Sequence, residues 1–188
     1  EYDTANLADV GGFRDLKAWL ARRNRYFLEA DDGAPDLPRG MLLLGVQGCG
    51  KSLASKAVAG VWGIPLLRLD TGALYNKYIG ETEKNIRTAL KSAETLAPCV
   101  LWIDEIEKGI DTGGDDNGTS RRMLGTLLTW MAENTKRVFI VATANDISSL
   151  PPELIRKGRM DEIFFVDLPD RDTREEILRL HLKKRDMN

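Results

Sequence analysis

The sequence predicts an α/β fold in which helices cover both faces of a parallel sheet. Short, continuously apolar runs such as Met41–Leu44 and Val100–Ile103 have the length of buried strands. Segments with apolar residues at helical spacing alternate with these runs along the chain. The chain has 188 residues, enough to bury a sizeable core, and we expect residues 1–188 to form one domain.

The first half of the chain alternates helices with strands. Apolar residues at helical spacing predict an amphipathic helix over residues 12–29. The loop after it, Asp31–Pro38, is rich in turn-forming residues. The elements predicted after this loop are a strand at Met41–Leu44, a helix at Lys51–Trp62 and a strand at Pro65–Leu69.

The second half continues the alternation. After a break at Gly80, apolar residues recur at helical spacing until Pro98 ends the helix. Either Asp170 or Asp172 can cap the last helix. Between these helices the sequence predicts strands at Val100–Ile103, Val138–Val141 and Ile163–Val166, a helix with an apolar face from Met123 to Met131, and an acidic, glycine-rich loop at Gly109–Gly118.

Composition narrows the function classes. The net charge is −2, which argues mildly against a protein dominated by contacts with nucleic-acid phosphates. Two cysteines, Cys49 and Cys99, and a single histidine, His181, do not form a zinc-binding pattern. No apolar run approaches the roughly 20 residues of a membrane span, and no signal peptide is visible.

A phosphate-binding loop is indicated between the first predicted strand and the helix after it. The segment Gly45–Ser52 matches the pattern G-x-x-x-x-G-K-[ST]. Its glycines let successive backbone N–H groups point at one phosphate, and the helix N-terminus adds a positive dipole. Lys51 supplies a charge for the β- and γ-phosphates of ATP, and the Ser52 hydroxyl suits Mg²⁺. The predicted nucleotide contacts are Gly45, Val46, Gln47, Gly48, Cys49, Gly50, Lys51, Ser52 and Leu53.

An acidic pair, Asp104 and Glu105, follows the predicted strand Val100–Ile103. Ligands of open α/β sheets bind at the carboxyl ends of the strands, where this pair is expected. We expect Asp104 to help hold the Mg²⁺, and Glu105 to orient and deprotonate a water in line with the γ-phosphate. Such a pair alone is often a solvated strand end, but together with the phosphate-binding loop it predicts ATP hydrolysis.

These residues together resemble the AAA family of ring ATPases, from about Asp9 to Leu182. The resemblance implies a three-layer α/β/α P-loop NTPase core with a five-stranded parallel sheet in the order 5-1-4-3-2. In this family a small helical lid follows the core, and the lid is not expected within this sequence. Several stretches, among them Pro65–Asp70, are similar to AAA proteins of algal plastid and cyanobacterial genomes and their bacterial relatives.

The resemblance also assigns roles to residues outside the two motifs. Asn145, at the end of a strand, corresponds to a sensor whose amide contacts the γ-phosphate and the attacking water. Arg156 and Arg159 correspond to two arginines that reach the ATP of a neighbouring subunit, a task suited to a permanently charged guanidinium. Without the family context, Asn145 would be read as a turn former and the two arginines as surface residues.

Two further segments match the family more loosely. Tyr78 and Ile79 correspond to a pore loop that grips an extended polypeptide, although a packed tyrosine in a capping loop is the simpler alternative. The glycine-rich loop Gly109–Gly118 would be the second pore loop. Asp9, Val10 and Gly11 fit a segment that contacts adenine mainly through backbone groups.

The resemblance implies an ATPase that converts ATP and water to ADP and phosphate, with Mg²⁺ as its cofactor. The expected assembly is a homo-oligomer, most simply a hexamer, which remodels or threads a protein client. The alternatives are a nucleic-acid motor or loader on the same core, and a nucleotide-dependent scaffold with negligible turnover. The expected compartment is the cytoplasm, or an organelle stroma for a protein of plastid origin.

Overall fold

Five parallel strands form a single sheet with the spatial order β2-β3-β4-β1-β5. The structure, a computed structural model, describes residues 12–70, 79–109, 117–156 and 159–185. The observed order is the predicted 5-1-4-3-2, so the predicted fold class is confirmed. The strands are β1 (Gly40–Leu44), β2 (Leu66–Leu69), β3 (Cys99–Ile103), β4 (Val138–Ala144) and β5 (Glu162–Phe165).

Helices cover both faces of this sheet. The longer helices are α1 (Arg14–Glu29), α2 (Lys51–Trp62), α3 (Ile79–Leu96), α4 (Asn117–Glu133) and α5 (Arg171–Lys184). Two short 3₁₀ helices, Ile106–Gly109 and Ile147–Ser149, follow β3 and β4. Among the described residues, no helix is both long enough and apolar enough to cross a membrane.

The alternation of side chains along the strands divides the core in two. In β1, Met41 and Leu43 pack with α1 and α2, whereas Leu42 and Leu44 pack with α3 and α4. Successive residues of a strand point to opposite faces, so one apolar run supplies both layers of core. This alternation also explains why β1, β3 and β4 are almost entirely apolar, with Thr143 of β4 as a polar residue among them: every residue of these three strands is buried.

An aromatic cluster fixes the helices on one face. Phe27 of α1 stacks on Trp62 of α2 with ring centroids 4.7 Å apart, and both rings contact Phe139 of β4. Trp19 adds a further contact with Phe139. These interlocking rings join two helices to the middle of the sheet.

The structure corrects some predicted boundaries. Helix α3 begins at Ile79, so the predicted break at Gly80 is wrong. A glycine costs a helix only about 0.5–1 kcal/mol and does not by itself prevent one. Of the two candidate caps for the last helix, Asp170 is the one that accepts a hydrogen bond from the backbone N–H of Thr173.

The parallel register brings three chain segments together at the carboxyl ends of neighbouring strands, along one edge of the sheet. Leu44 of β1 pairs with Ala144 of β4, and Ile103 of β3 pairs with Ala142 of β4. The phosphate-binding loop, the acidic pair and Asn145 therefore leave the sheet side by side, with β4 between the other two strands. This edge is where an open α/β sheet places its ligand.

Candidate active site

The loop after β1 is shaped by glycines. Gly48 and Gly50 have φ angles of 85° and 93°, in the left-handed region that favours glycine. A side chain at Gly45 would overlap the carbonyl oxygen of Val166. Gly50 lies at the N-cap of α2 without a capping side chain, so the first backbone N–H groups of this helix are open to a ligand.

Lys51 is a buried cation whose hydrogen-bond partners in this loop are neutral. Its side chain lies within the loop, and the residue is only 7% exposed. Nζ donates to the carbonyl oxygens of Gly45 at 2.6 Å and Val46 at 2.8 Å, and to Oδ1 of Asn145 at 3.0 Å. Within the described residues, no carboxylate lies within 4 Å of Nζ. A buried ammonium without a counter-ion is costly, and a phosphate oxygen would supply one.

The acidic pair is organised by a buried hydroxyl. Thr143 of β4 is fully buried; its Oγ1 donates to Oδ1 of Asp104 at 2.7 Å and accepts from the backbone N–H of Glu105 at 2.8 Å. The other oxygen of Asp104 pairs with Arg68 at 3.1 Å. The Arg68 guanidinium also lies 4.8 Å from the centre of the Trp102 ring. Asp104 is therefore held by a protein cation on one oxygen and by the Thr143 hydroxyl on the other.

Ser52 and Asp104 are the residues that would hold Mg²⁺. Ser52 is exposed in the first turn of α2, and Asp104 is half-buried at the end of β3. The described residues contain no cluster of three or more acidic, histidine or cysteine side chains that would form a complete protein cage. An incomplete oxygen set fits Mg²⁺, which commonly takes one or two protein ligands and completes its shell with water and phosphate oxygens.

Glu105 has an unusual backbone and a strong ionic partner. Its φ of 47° lies in the left-handed region, which is strained for a residue other than glycine. The Lys108 ammonium, 2.5 Å from Oε2, lowers the pKa of the Glu105 carboxyl. The Asn145 side chain and the Lys51 charge lower this pKa further. Glu105 is thereby held ionised, as a proton acceptor must be.

Glu107 is a site residue that the sequence did not reveal. Its Oε1 accepts hydrogen bonds from the backbone N–H of Asn145 at 2.9 Å and from its Nδ2 at 2.7 Å. Asn145 in turn contacts Lys51, so the predicted sensor and the predicted phosphate-binding lysine are brought together. A glutamate in a short polar turn is usually a solvated charge, and only the register of β3 against β4 shows otherwise.

A cavity of about 420 Å³ adjoins the loop on its α5 side. Gly48, Cys49, Gly50 and Leu53 line it from the loop and from α2. The remaining walls include Phe13 before α1, Thr173, Ile177, Leu180 and His181 of α5, and the segment 165–170. Its size and apolar lining suit a nucleobase and ribose. Phe13 and His181 were not anticipated as lining residues, and Asp9, Val10 and Gly11 lie outside the described residues.

Arg156 and Arg159 are not brought to this site. They precede β5, and the backbone N–H of Asp161 donates to the carbonyl oxygen of Gly40, at the start of β1. The phosphate-binding loop follows the other end of β1, about 13 Å away for a strand of this length. Arg156 is exposed, and Nη1 of Arg159 donates to the carbonyl oxygen of Glu153.

The residues of the predicted pore loops lie mostly outside the part of the chain that the structure describes. Tyr78 lies outside the described residues, as does most of the loop Gly109–Gly118. Ile79 is the first residue of α3, and its side chain is not among those described. The pore-loop roles therefore stay predictions from the sequence.

Replacing Thr143 tests the buried hydroxyl. Thr143→Val keeps the side-chain shape but leaves Asp104 and the backbone N–H of Glu105 without this partner, so the free energy of unfolding should fall by about 1–3 kcal/mol. Urea unfolding measures this free energy. Thr143→Ser keeps the hydroxyl and loses one methyl, at a cost of about 0.8 kcal/mol. A valine variant as stable as the wild type would contradict the assignment.

Replacing Lys108 tests the ion pair at Glu105. Lys108→Met should raise the pKa of the Glu105 carboxyl toward its ordinary value, whereas Lys108→Arg should leave it low, as read by NMR titration of the carboxyl carbon. Because folding lowers this pKa, the pair stabilises the protein above the ordinary carboxylate pKa. The stability advantage of wild type over Lys108→Met should disappear as the pH falls through the lowered pKa. An unchanged Glu105 pKa in the methionine variant would refute the assignment.

Comparison with known proteins agrees with this geometry. Residues 41–168, more than half of the chain, match the model of the ATPase family associated with various cellular activities (AAA). The chain is 50% identical over 182 residues to the "Uncharacterized AAA domain-containing protein ycf46" of Guillardia theta, and 51% identical over 181 residues to the protein of the same name from Pyropia yezoensis. It is 35% identical over 184 residues to the "ATPase family gene 2 protein" of Saccharomyces cerevisiae.

The matched region is only part of these relatives. The alignments cover 95%, 94% and 94% of this chain but 36%, 36% and 24% of the three proteins, so the chain spans roughly a third or less of their length. The shared part includes the phosphate-binding loop, the acidic pair and Asn145. With its fold, its site geometry and the family match in agreement, the chain belongs to the AAA family of ATPases.

Proposed function

We propose that this domain binds ATP with Mg²⁺ and hydrolyses it to ADP and phosphate. The observation that carries the proposal is the buried Lys51 ammonium, hydrogen-bonded to three neutral oxygens beside a glycine-bent loop. A site that keeps a buried cation without a carboxylate in contact with it is prepared for an anion. The open N–H groups at the start of α2 and the adjoining cavity favour a nucleotide over a simple anion.

Each group at the sheet edge has a defined task in this reaction. Lys51 and the loop amides balance the charge of the phosphates. Ser52 and Asp104 hold Mg²⁺, which neutralises charge on the phosphate oxygens when it is bound. Glu105 orients the attacking water and accepts its proton, and Asn145 contacts the γ-phosphate through its amide.

The two carboxylates must exchange partners before they act. Arg68 pairs with Asp104, and Lys108 pairs with Glu105. Arg68 must release one oxygen of Asp104 for a cation, and Glu105 must turn from Lys108 toward water. Both protein cations are at the mouth of the site, where their side chains are 31% and 63% exposed and have room to move.

The position of two arginines at the opposite end of the strands supports an active site that is shared between subunits. Arg156 and Arg159 lie at the amino end of β5, too far from the loop to contact the phosphates of their own chain. Their proposed task is to complete the site of a neighbouring subunit, where an arginine is worth about 10³–10⁵ in rate in comparable enzymes. Oligomer formation then becomes a condition for fast turnover.

The task that hydrolysis drives is proposed from the sequence. We favour remodelling or threading of a protein by a ring of subunits, with Tyr78 and Ile79 as the residues that grip this protein. The algal relatives are compatible with a plastid stroma as the compartment.

A pair of measurements tests the ATPase assignment. Glu105→Gln should lower the release of phosphate from MgATP by roughly 10²–10⁴-fold while MgATP still binds, because glutamine cannot accept the proton. Glu133→Gln, an exposed control on α4, should leave the rate unchanged. The specific activity of the wild type should rise with protein concentration, since the site is completed by a neighbour. Failure of the wild type to bind MgATP, or full activity in Glu105→Gln, would refute the proposal.

A further inference from the structure

The contacts of Glu107 with Asn145 are specific to one orientation of the amide. Oε1 of Glu107 lies 2.7 Å from one end of the Asn145 side chain, and Nζ of Lys51 lies 3.0 Å from the other end. A carboxylate only accepts hydrogen bonds, and an ammonium only donates them. The amide nitrogen must therefore face Glu107 and the amide oxygen must face Lys51. The reverse orientation would place oxygen against oxygen and nitrogen against an ammonium.

The support for Glu107 is rigid. It lies in the short 3₁₀ helix directly after the acidic pair, beside Ile106, which is only 1% exposed and belongs to the core. Oε1 also accepts from the backbone N–H of Asn145, so the carboxylate is fixed to the same residue at two points. The carboxylate position therefore follows the backbone at the end of β4.

The position of Glu107 carries an energetic cost. Its second oxygen, Oε2, is buried and has no hydrogen-bond partner among the described residues. A buried carboxylate oxygen without a hydrogen-bond partner lowers the stability of the fold. A side chain that only anchored a loop would not need this cost. One acceptor oxygen at this position holds both the backbone N–H and the donor end of the Asn145 side chain.

We propose that Glu107 is a positioning residue that fixes the side-chain amide of Asn145. It selects the orientation in which Oδ1 faces Lys51 and one Nδ2 hydrogen stays free for the reacting groups. The Asn145 side chain also lowers the pKa of the Glu105 carboxyl, so this amide lies near the acidic pair. This inference rests on the proposed ATPase function for its kinetic consequence but not for the orientation itself.

The orientation can be measured in the nucleotide-free protein. In wild type, the side-chain NH₂ of Asn145 should give an NMR signal shifted by a carboxylate acceptor, identified by its loss in Asn145→Ala. Glu107→Met should move this signal toward that of a solvated amide. Glu107→Gln, which keeps an acceptor oxygen, should leave it near the wild-type position. Glu107→Asp keeps the charge but shortens the reach, and it should behave like Glu107→Met; it replaces that variant if methionine prevents folding.

A double-mutant cycle tests whether Glu107 acts through Asn145. Glu107→Met should lower kcat by up to about 100-fold, the cost of a misplaced group, with little change in the KM for ATP. Combined with Asn145→Ala it should cause no further loss, because the group that it positions is gone. Glu107→Gln should recover most of the rate.

The outcomes separate this inference from the proposed function. An Asn145 signal unaffected by Glu107→Met and Glu107→Asp would overturn the positioning role. Losses that multiply in the Asn145→Ala background would overturn it as well, since they would show a purely structural effect. A wild-type protein that neither binds nor hydrolyses MgATP would refute the proposed function alone, because the NMR comparison would still decide how Asn145 is held.

Discussion

The buried ammonium of Lys51 is the constraint on which the rest of the site depends. A cation that is 7% exposed and bonded to three neutral oxygens needs a backbone that can turn its carbonyl groups inward. The left-handed glycines Gly48 and Gly50 allow that turn. The same turn leaves the N–H groups at the start of α2 without partners. One glycine-bent loop thus places both a positive charge and a set of donors where a triphosphate can satisfy them.

The parallel sheet supplies the second half of the arrangement. Because β4 lies between β3 and β1, its last residues reach both neighbours. Thr143 connects to Asp104 and Glu105 on one side, while Asn145 connects to Lys51 on the other. The acidic pair and the cationic loop are therefore coupled through one central strand.

The sequence predicted the features that local pattern determines. The glycine loop and the position of Asp104 after a buried strand follow from motif and periodicity, whereas the order of the sheet follows from the resemblance to the AAA family. Glu107 and Thr143 escaped notice because their importance depends on which residues face each other across β3 and β4. The break predicted at Gly80 failed since a single glycine is a weak signal against a long amphipathic helix. The roles given to Arg156, Arg159 and Tyr78 remain predictions.

Unfolding of a Lys51→Met variant, with and without MgATP, tests the central claim most directly. If Lys51 is a cation waiting for a phosphate, removing its charge should not destabilise the nucleotide-free protein, because a desolvated charge is removed with it. MgATP at about 100 times its dissociation constant should stabilise wild type by roughly 2.7 kcal/mol and the variant far less. A variant that is much less stable without nucleotide, yet gains as much from MgATP as wild type, would show that Lys51 is merely structural.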